Sequence, residues 1–582
     1  MASDALLMTF AELARASGGD LHFSGDGGAS GFSSVSIDSR SASQGALFVA
    51  LPGEACDGHA FVEAAFSNGA AAALAERGKA LSMGLAALAK AHGKALVAVD
   101  DSLRGFQSAA RAYLEKFPGL LKIGITGSSG KTTTKELAAA IIGAEKCAVA
   151  SRGNYNSDTG LPLSVFEVRA CHEVGVFEMG MNRKGEMAGL AEVLKPDIAL
   201  ITTIGSAHIG ILGSRQAIAE EKKDIFSRLG EGGVALVPED SDFRGFLAEG
   251  VRGRVAFHGE KAMAEFGGAK SLGLDGTEIA WAGQRIRLAL PGRHNLANAL
   301  SAIAIAREVP VSAAAIKKGL ESAQPMFGRG EILRGRATVI RDCYNSNPES
   351  LAEAVGFCDG VEWPGRRVYV VGEMLELGGL SRESHEEAGR LLAGSKADMA
   401  FLFGREAAAA AEALEASGSG KKFFHTCDMA ELARAVEAFA AEGDLVLLKG
   451  SRGCALERLC GIFEGGGADV PGNLRAPRRL FHAIQRFSLH HFQGRLRRDH
   501  DAADLLSFRR QGHRRPQALQ GWAVGARRRP RDASCQIRHA DYGGHSHNRL
   551  GCRVDAAVGG RQERSCLAHS DFLRGLWRRR LS

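Results

Sequence analysis

The sequence predicts an α/β protein of three domains followed by a tail of different character. Short apolar, β-prone runs alternate with Ala-rich helical stretches from the N-terminus to about residue 465. A glycine-rich turn at residues 127–130 joins one such run to a helix, an arrangement typical of phosphate-binding sheets. Beyond residue 465 the alternation stops and the charge composition changes. We therefore expect mostly parallel sheets covered by helices, and then a disordered tail.

The first predicted domain, residues 1–104, is a small α/β unit with strand-like runs at 35–37, 46–51 and 95–99. Its N-terminus has no basic segment followed by a long apolar core, so we expect no signal peptide. No apolar run in the sequence is long enough to span a membrane. The 11 Cys show no metal-binding spacing, which favours a reduced, cytoplasmic compartment.

The second and third predicted domains repeat a strand–helix alternation that favours parallel sheets with helices on both faces. In the second domain, residues 105–325, the apolar strands are expected at 121–126, 174–179, 198–204 and 233–237. The third domain, residues 326–465, is expected to be Rossmann-like, with strands at 338–340, 367–371, 399–403 and 445–448.

The turn after the first strand of the second domain is the clearest chemical signal. It reads Gly127-Ser-Ser-Gly-Lys-Thr132, so backbone N–H groups and a helix N-terminus would face a phosphate. Lys131 would add positive charge, and Thr132 would offer a hydroxyl to Mg²⁺. The turn predicts binding of a nucleoside triphosphate. It departs from the generic loop because Ile125 stands where a Gly is usual, and the alternative is a chance glycine turn.

Polar residues follow two other strands of the second domain. Glu178 ends one strand and His208 follows the next. The carboxyl ends of parallel strands meet at one edge of a sheet, so both should lie near Thr132 and supply ligands for Mg²⁺. Taken alone, Glu178 fits a solvated strand end and His208 a structural histidine. The turn-rich segment with Asn154 and Asn156 is either a simple loop or a set of amides for a polar substrate.

Taken in order, the motifs of residues 25–465 resemble the Mur ligases, the ATP-dependent amino-acid ligases of peptidoglycan synthesis. The matching motifs are Asp38-Ser-Arg40, Asp57-Gly-His59-x-Phe61, Thr126–Thr132, Asn154-x-Asn156, Glu178-Met-Gly-x-Asn182, His208, Glu221-Lys222-x-x-Ile-Phe226, Gly292-Arg-His-Asn295-x-x-Asn298, Gly328-Arg329, Asp342-x-Tyr344-Asn345-x-Asn347-Pro348, Gly372-Glu-Met-x-Glu376-Leu-Gly378 and Leu448-Lys449-Gly-Ser-Arg452. The residues within these motifs resemble those of the branch that adds D-alanyl-D-alanine to UDP-N-acetylmuramoyl-tripeptide. The Asp-Asn-Pro-Arg signature of the diaminopimelate-adding sibling is absent from the sequence.

The resemblance implies an ADP-forming carbon–nitrogen ligase that makes a UDP-linked pentapeptide precursor of the cell wall. ATP would phosphorylate the terminal carboxylate of the tripeptide, and the amine of D-alanyl-D-alanine would attack the acyl phosphate. The implied cofactors are two Mg²⁺ ions and a CO₂-derived carbamate on Lys222. The alternative interpretation of Lys222 is a solvated lysine on the charged face of a helix. The implied partners are small molecules only, with no nucleic acid and no membrane insertion, and the implied state is a monomer.

The resemblance also implies a role for each matched residue. The catalytic set is Lys131, Glu178, His208 and Lys222, and the metal ligands are Thr132, Glu178, His208 and the Lys222 carbamate. The ATP contacts are Gly127, Ser128, Ser129, Gly130, Lys131, Thr132, Thr133, Asn295, Arg329, Asp342, Tyr344 and Asn345. The substrate contacts are Ser39, Arg40, Asp57, His59, Asn154, Asn156, Lys449 and Arg452. Because these residues come from three domains, we expect a site that is complete only when the domains close.

The tail, residues 466–582, has 24 Arg, no Lys and 9 acidic residues, although the whole chain has a net charge of only +7. One interpretation is a nucleic-acid-binding arm, but Arg without Lys is unusual for a selected basic arm. Read one base out of frame, permitted codons for 484–494 and 534–548 give strings that resemble phospho-N-acetylmuramoyl-pentapeptide transferase. We hypothesise that the tail is an out-of-frame reading of that adjacent gene, by a real frameshift or a sequence error. The DNA of codons 455–550 tests the hypothesis directly.

Two other functions stay open at this point. One is a sibling Mur ligase or a folylpolyglutamate-synthase-like ligase that adds a different amino acid. The other is a nucleotide-dependent protein that binds nucleic acid through its basic tail. The motifs fit either diaminopimelate or lysine as the third residue of the tripeptide.

Overall fold

The computed structural model describes residues 6–53 and 56–464. The predicted tail, residues 466–582, and the hypothesis about its origin lie outside the described residues. Within the described ranges, no helix combines the length and the apolar character that crossing a membrane requires.

The first part of the chain folds around a sheet with the strand order β2-β7-β6-β5-β4, in which β2 is antiparallel to β7 and the other pairs are parallel. The strands of this part are β1 Met8–Thr9, β2 Asp20–His22, β3 Gly31–Phe32, β4 Ser34–Ser36, β5 Ala46–Val49, β6 Ala72–Glu76 and β7 Ala95–Val99. Strands β1 and β3 form a separate antiparallel pair. The helices of this part are α1 Phe10–Ser17, α2 Val62–Ser67, α3 Arg77–Ser82, α4 Leu85–Ala91 and α5 Ser102–Leu114. Every residue of β5 and β7 is buried, as expected for strands covered on both faces.

The central part has a parallel sheet with the order β13-β12-β11-β8-β10-β9. Its strands are β8 Leu121–Thr126, β9 Ala148–Ala150, β10 Val174–Glu178, β11 Ile198–Ile201, β12 Val234–Pro238 and β13 Arg254–His258. Its helices are α6 Lys131–Gly143, α7 Gly160–Val165, α8 Glu186–Leu194, α9 Ile209–Leu212, α10 Arg215–Lys223 and α11 Arg244–Ala248. Strand β8 lies between β10 and β11, so the segments that follow all three strands meet at one edge of the sheet.

An antiparallel sheet and two helices complete this part: β14 Phe266–Ser271, β15 Thr277–Trp281, β16 Gln284–Leu288, α12 Arg293–Glu308 and α13 Ala313–Ser322. Helices α12 and α13 both pack against α6, and the three helices share one apolar core with β8. This packing holds the start of α6 in place beneath the phosphate loop.

The last part has a sheet with the order β17-β18-β22-β19-β20-β21, in which β17 is antiparallel to β18 and the other pairs are parallel. Its strands are β17 Glu331–Arg334, β18 Thr338–Asp342, β19 Arg367–Gly372, β20 Met399–Phe403, β21 Phe423–Thr426 and β22 Leu445–Lys449. Its helices are α14 Pro348–Gly360, α15 Ser381–Gly394, α16 Ala407–Ala416 and α17 Met429–Phe439. The predicted α/β fold class is confirmed for the described residues, while the predicted domain limits stay predictions.

Candidate active site

The phosphate loop lies between β8 and α6, where the sequence places it. Its glycines Gly127 and Gly130 have positive φ values of 151° and 82°. A side chain at Gly127 would overlap Thr202 Oγ1, and one at Gly130 would overlap Asn298 Oδ1, so both positions require glycine. Lys131 Nζ donates to the Gly127 carbonyl at 2.7 Å and so folds back over the loop.

The segment after β11 braces the phosphate loop. Ser128 N donates to Thr203 O at 2.9 Å, and Ser129 N donates to Thr203 Oγ1 at 3.1 Å. These two N–H groups are thus used within the protein. The N–H groups at the start of α6, beside the buried Thr132 and Thr133, are the ones that the helix itself leaves for a phosphate.

Glu178 ends β10 beside the loop, opposite Ile125 of β8 in the parallel pairing. Its carboxylate is buried, and Oε1 accepts from Asn156 Nδ2 at 2.6 Å. Oε2 is buried and has no hydrogen-bond partner among the described residues. A buried carboxylate oxygen without a partner is costly unless a cation meets it. This orphaned oxygen, with the Thr132 hydroxyl at the start of α6, fits the oxygen ligands of Mg²⁺.

A buried lysine that the sequence analysis missed holds the segment that contacts Glu178. Lys135 Nζ donates to Ser151 O at 2.5 Å and to Gly153 O at 3.4 Å. Ser151 Oγ in turn accepts from Glu178 N at 3.2 Å. Asn154, predicted as a substrate contact, is exposed on this segment. The sequence gave no signal for Lys135, because a lysine one turn into a helix is usually solvated.

Lys222 is buried near the end of α10, so its alternative interpretation as a solvated helix lysine is wrong. Its neighbour Glu221 accepts from Gly185 N at 2.7 Å and from Met187 N at 2.9 Å, which caps the start of α8. Burial, and then the positive charge of Lys131, hold the pKa of Lys222 well below its usual value. Both effects favour the neutral, nucleophilic form of the Lys222 amine.

His208 lies beside Glu376 of the third domain, a residue of a matched motif to which the sequence analysis gave no role in the site. His208 Nδ1 lies 2.7 Å from Glu376 Oε2, outside hydrogen-bond geometry, and the contact with His208 lowers the pKa of Glu376. Both residues have unusual positive φ values, 65° and 64°. Gly210 N donates to Glu376 O at 3.0 Å, and a side chain at Gly210 would overlap the backbone of Gly378. This close approach joins the central and third domains beside the site.

Arg329 and Glu376 also act on the phosphate loop. Burial lowers the pKa of Lys131; Glu178 and Glu376 oppose this shift, whereas the positive charge of Arg329 adds to it. The Arg329 guanidinium lies 4.1 Å from the centre of the Tyr344 ring, a cation–π contact that fixes its direction. The charge of Lys131 in the phosphate loop therefore interacts with the charges of Arg329 and Glu376 in the third domain.

Two further contacts join helix α14 to the central domain, one at the phosphate loop and one at the segment after β11. Asn347 Nδ2 donates to Ser129 Oγ at 3.3 Å. Glu349 accepts from Ser206 N at 2.9 Å and from Ser206 Oγ at 2.7 Å. Sequence spacing gave no signal for these pairs, because each partner lies in a different domain.

Several residues that were predicted to contact ATP or substrate form contacts with other residues of the third domain. Asp342 Oδ2 lies 3.0 Å from Lys449 Nζ, and Lys449 is buried and also donates to Asn345 O at 2.7 Å. Arg452 pairs with Glu457 at 2.8 Å and keeps 56% of its side chain exposed. The predicted roles of Lys449 and Arg452 in substrate binding stay predictions, and only Arg452 has an exposed charged group.

Asn295 is buried in the first turn of α12, where its Nδ2 donates to Pro291 O at 2.7 Å. Its Oδ1 accepts from Asn298 Nδ2 at 3.3 Å. Asn298 in turn faces Gly130, so this pair links α12 to the phosphate loop. The predicted adenine contact of Asn295 stays a prediction.

The predicted substrate residues of the first domain divide into two groups. Ser39 is buried, and the exposed Arg40 forms an ion pair with Asp38 at 2.7 Å. His59 is buried with both ring nitrogens engaged: Nδ1 lies 2.5 Å from Asp57, and Nε2 accepts from Glu76 N at 2.9 Å. Asp57 and His59 therefore brace the domain, and their predicted substrate contact stays a prediction.

A cavity of about 370 Å³ lies where the Asp38 turn meets the segment after β9. Its lining includes Ser36, Asp38, Ser41, Arg152, Tyr155 and Arg169. The predicted UDP-binding turn therefore borders a cavity that the central part of the chain also lines. Arg152 and Arg169 could contact an anionic ligand, and Arg152 is paired with Glu167 of the same lining at 2.7 Å.

Comparison with known proteins places this site in a family. Residues 125–306 match the Mur ligase middle domain, 328–452 the Mur ligase glutamate ligase domain, and 32–113 the Mur ligase family catalytic domain. The chain is 44% identical over 432 residues to a UDP-N-acetylmuramoyl-tripeptide–D-alanyl-D-alanine ligase of Treponema pallidum, covering 74% of this chain and 94% of that protein. The chain belongs to the Mur ligase family. The predicted resemblance to Mur ligases is thus confirmed.

Other Mur ligases show the same likeness. The ligase of the same name from Bacillus subtilis is 34% identical, over 73% of this chain and 92% of that protein. A crystal structure of MurF from Acinetobacter baumannii superposes with a TM-score of 0.70 at 30% identity, covering 78% of this chain and 98% of that one. The Thermotoga maritima MurF ligase, solved in complex with ADP, gives a TM-score of 0.62 at 27% identity, covering 74% and 96%.

Proposed function

We propose that this chain is an ATP-dependent ligase that joins D-alanyl-D-alanine to UDP-N-acetylmuramoyl-tripeptide and releases ADP and phosphate. Relatives that carry this name match nearly their whole length, and the wording of the motifs favours the same branch of the Mur ligases. The observation that carries the proposal is the contact of the third domain with the phosphate-loop edge of the central sheet, where Asn347 Nδ2 donates to Ser129 Oγ and Gly210 N donates to Glu376 O. A site of this kind is complete only when the domains are closed.

In the first step, the terminal carboxylate of the tripeptide attacks the γ-phosphorus of ATP, and the bond to ADP breaks. The N–H groups at the start of α6 and the Lys131 ammonium stabilise the charge that spreads over the transferred phosphoryl group. Arg329, directed by Tyr344, contributes a second positive charge. In the second step, the amine of D-alanyl-D-alanine attacks the acyl carbon, and phosphate leaves.

Thr132, Glu178 and His208 would hold Mg²⁺, and the orphaned Glu178 Oε2 is the structural support for this assignment. Bound there, Mg²⁺ would neutralise phosphate charge during transfer. Asn156 and Ser151 orient the Glu178 carboxylate for this role.

We assign Lys222 as the site of the carbamate. The lowered pKa of this buried lysine favours the neutral amine that reacts with CO₂, and a carbamate would replace a cation repelled by Lys131 with an anion. The two charges would then attract rather than repel.

The UDP end of the substrate is assigned to the cavity bordered by the Asp38 turn and Arg152. Asn295, Asp342 and Asn345 are assigned to the nucleoside end of ATP. The exposed Arg452 is assigned to the peptide or the dipeptide. The reaction is assigned to the cytoplasm, with the enzyme acting as a monomer.

The test is a coupled assay of ADP release with purified protein. Release should require both UDP-N-acetylmuramoyl-tripeptide and D-alanyl-D-alanine, and mass spectrometry should detect the UDP-linked pentapeptide. Release driven by a single free amino acid without the dipeptide would contradict the proposal and favour a sibling activity. Release stimulated by DNA alone would favour a nucleic-acid-binding function.

A further inference from the structure

Two exposed thiols lie together at the end of the central sheet opposite the phosphate loop. Cys147 comes directly before β9 and Cys171 shortly before β10, and both are free cysteines. Their sulfur atoms and a ring nitrogen of His172 all lie within 4.8 Å of one another. The sequence gave no signal for the pair, because the fold brings together two cysteines that are distant along the chain.

The backbone beneath the thiols is fixed by the pairing of β9 with β10. Cys147 O accepts from Glu173 N at 2.8 Å, and Cys147 N donates to Glu173 Oε1 at 3.2 Å. Glu173 O accepts in turn from Leu121 N at 2.9 Å, which extends the network to β8. The two thiols are therefore presented from a rigid edge, and β9 is the edge strand of its sheet.

The orientation of His172 argues against a metal site. Its Nδ1 accepts from Arg169 N at 2.9 Å, so the proton of the neutral ring is on Nε2. A metal ligand needs a free lone pair on nitrogen, and this arrangement leaves none without breaking the Arg169 contact. The cluster therefore offers two thiols beside an N–H donor.

We propose that Cys147 and Cys171 form a reversible disulfide, which makes this edge a thiol modification site. The oxidant is a low-molecular-weight disulfide. The Cys171 thiolate attacks one of its sulfur atoms, giving a mixed disulfide and one released thiol. Cys147 then attacks Cys171 Sγ, and the second thiol leaves. The two cysteines are oxidised, the small disulfide is reduced to two thiols, and both cysteine protons end on those thiols.

The bond would join the start of the edge strand β9 to the turn before β10. It would close the segment that carries Ser151 and Asn156, and so constrain the unfolded chain. The ligase site lies at the other end of these strands. Oxidation is therefore expected to raise the melting temperature and to leave turnover within about twofold of the reduced enzyme.

The experiment treats the full-length protein with oxidised glutathione, alkylates the remaining thiols and maps the peptides by mass spectrometry. The expected result is a peptide pair joined through Cys147 and Cys171, with a higher melting temperature that dithiothreitol reverses. Cys147→Ser and Cys171→Ser should each lose the cross-link. Cys427→Ser, at another exposed thiol, should keep it.

Two results would overturn the proposal. One is separate glutathione adducts on Cys147 and Cys171 with no cross-link between them. The other is zinc that stays bound through gel filtration of the parent protein and is lost in Cys147→Ser, which would make the cluster a metal site.

Discussion

At the scale of single residues, the chemistry of the site depends on polar groups at the carboxyl ends of the central strands. The phosphate loop, Glu178 and His208 are at strand ends because parallel strands place their carboxyl ends at one edge. Burial could not be read from the sequence: Lys135 and Lys222 lie in polar helical sequence, yet both are buried. Which lysines are buried depends on the packing of the surrounding loops, and the sequence does not show that packing.

Replacing Lys222 by Ala should lower turnover about 100-fold or more, because an anion beside Lys131 and the metal ligands would be lost. Small carboxylates such as formate should partly restore activity by occupying the space of the carbamate. Steady-state ADP release checks both effects. Lys223→Ala is the matched control, since Lys223 Nζ contacts Phe246 O and not the site. Full activity of Lys222→Ala would refute the role.

Replacing Lys135 by Met should release the segment that orients Glu178, because the Ser151 and Gly153 carbonyls would lose their buried donor. We expect kcat to fall about tenfold, by roughly 1–2 kcal/mol, and the Mg²⁺ concentration for half-maximal activity to rise. Titration of activity with Mg²⁺ measures this. Glu136→Gln removes the charge that Lys135 Nζ meets at 2.6 Å but keeps both carbonyl contacts, so it should have a smaller effect than Lys135→Met. An unchanged Mg²⁺ dependence in Lys135→Met would argue for a purely structural lysine.

At the scale of elements, apolar runs predicted the main parallel strands of the second and third domains. The sequence did not predict β6, because Ala72–Glu76 is composed of Ala, Leu and Glu, which favour helices. It also missed the hairpins of β14, β15 and β16, in which polar residues interrupt the apolar ones and leave no continuous apolar run. In these segments, burial in the folded protein outweighed the local structural preference of the residues.

Gly319→Ala should destabilise the protein, because a methyl group there would overlap the backbone of Ile141 where α13 packs on α6. The expected loss is about 1–3 kcal/mol, typical of overpacking. Gly356→Ala is the matched control: nothing lies within 4 Å of the new methyl group, so helix propensity should make it neutral or stabilising by about 1 kcal/mol. Thermal unfolding measures both, and an equal response of the two variants would contradict the packing argument.

At the scale of the whole molecule, the sequence predicted a site shared between domains but not the contacts that close it. Arg329 was found from its motif, whereas Glu349, Glu376 and Asn347 were not assigned to the site. Contacts between domains depend on how separate folding units meet, and no spacing along one element records that geometry. The closed arrangement rests on the pairs Ser206–Glu349, Ser129–Asn347 and Gly210–Glu376.

Glu349→Ala should weaken domain closure, because it removes the acceptor for both the N–H and the hydroxyl of Ser206. The pair is partly solvated, so we expect a cost of about 1 kcal/mol, which is roughly a fivefold rise in KM for ATP. Small-angle scattering should show a larger radius of gyration with ADP bound than the parent has. Glu353→Ala, exposed one turn along the same helix, should change neither quantity. Parent-like closure and KM in Glu349→Ala would mean that the other contacts between the domains suffice to hold the site together.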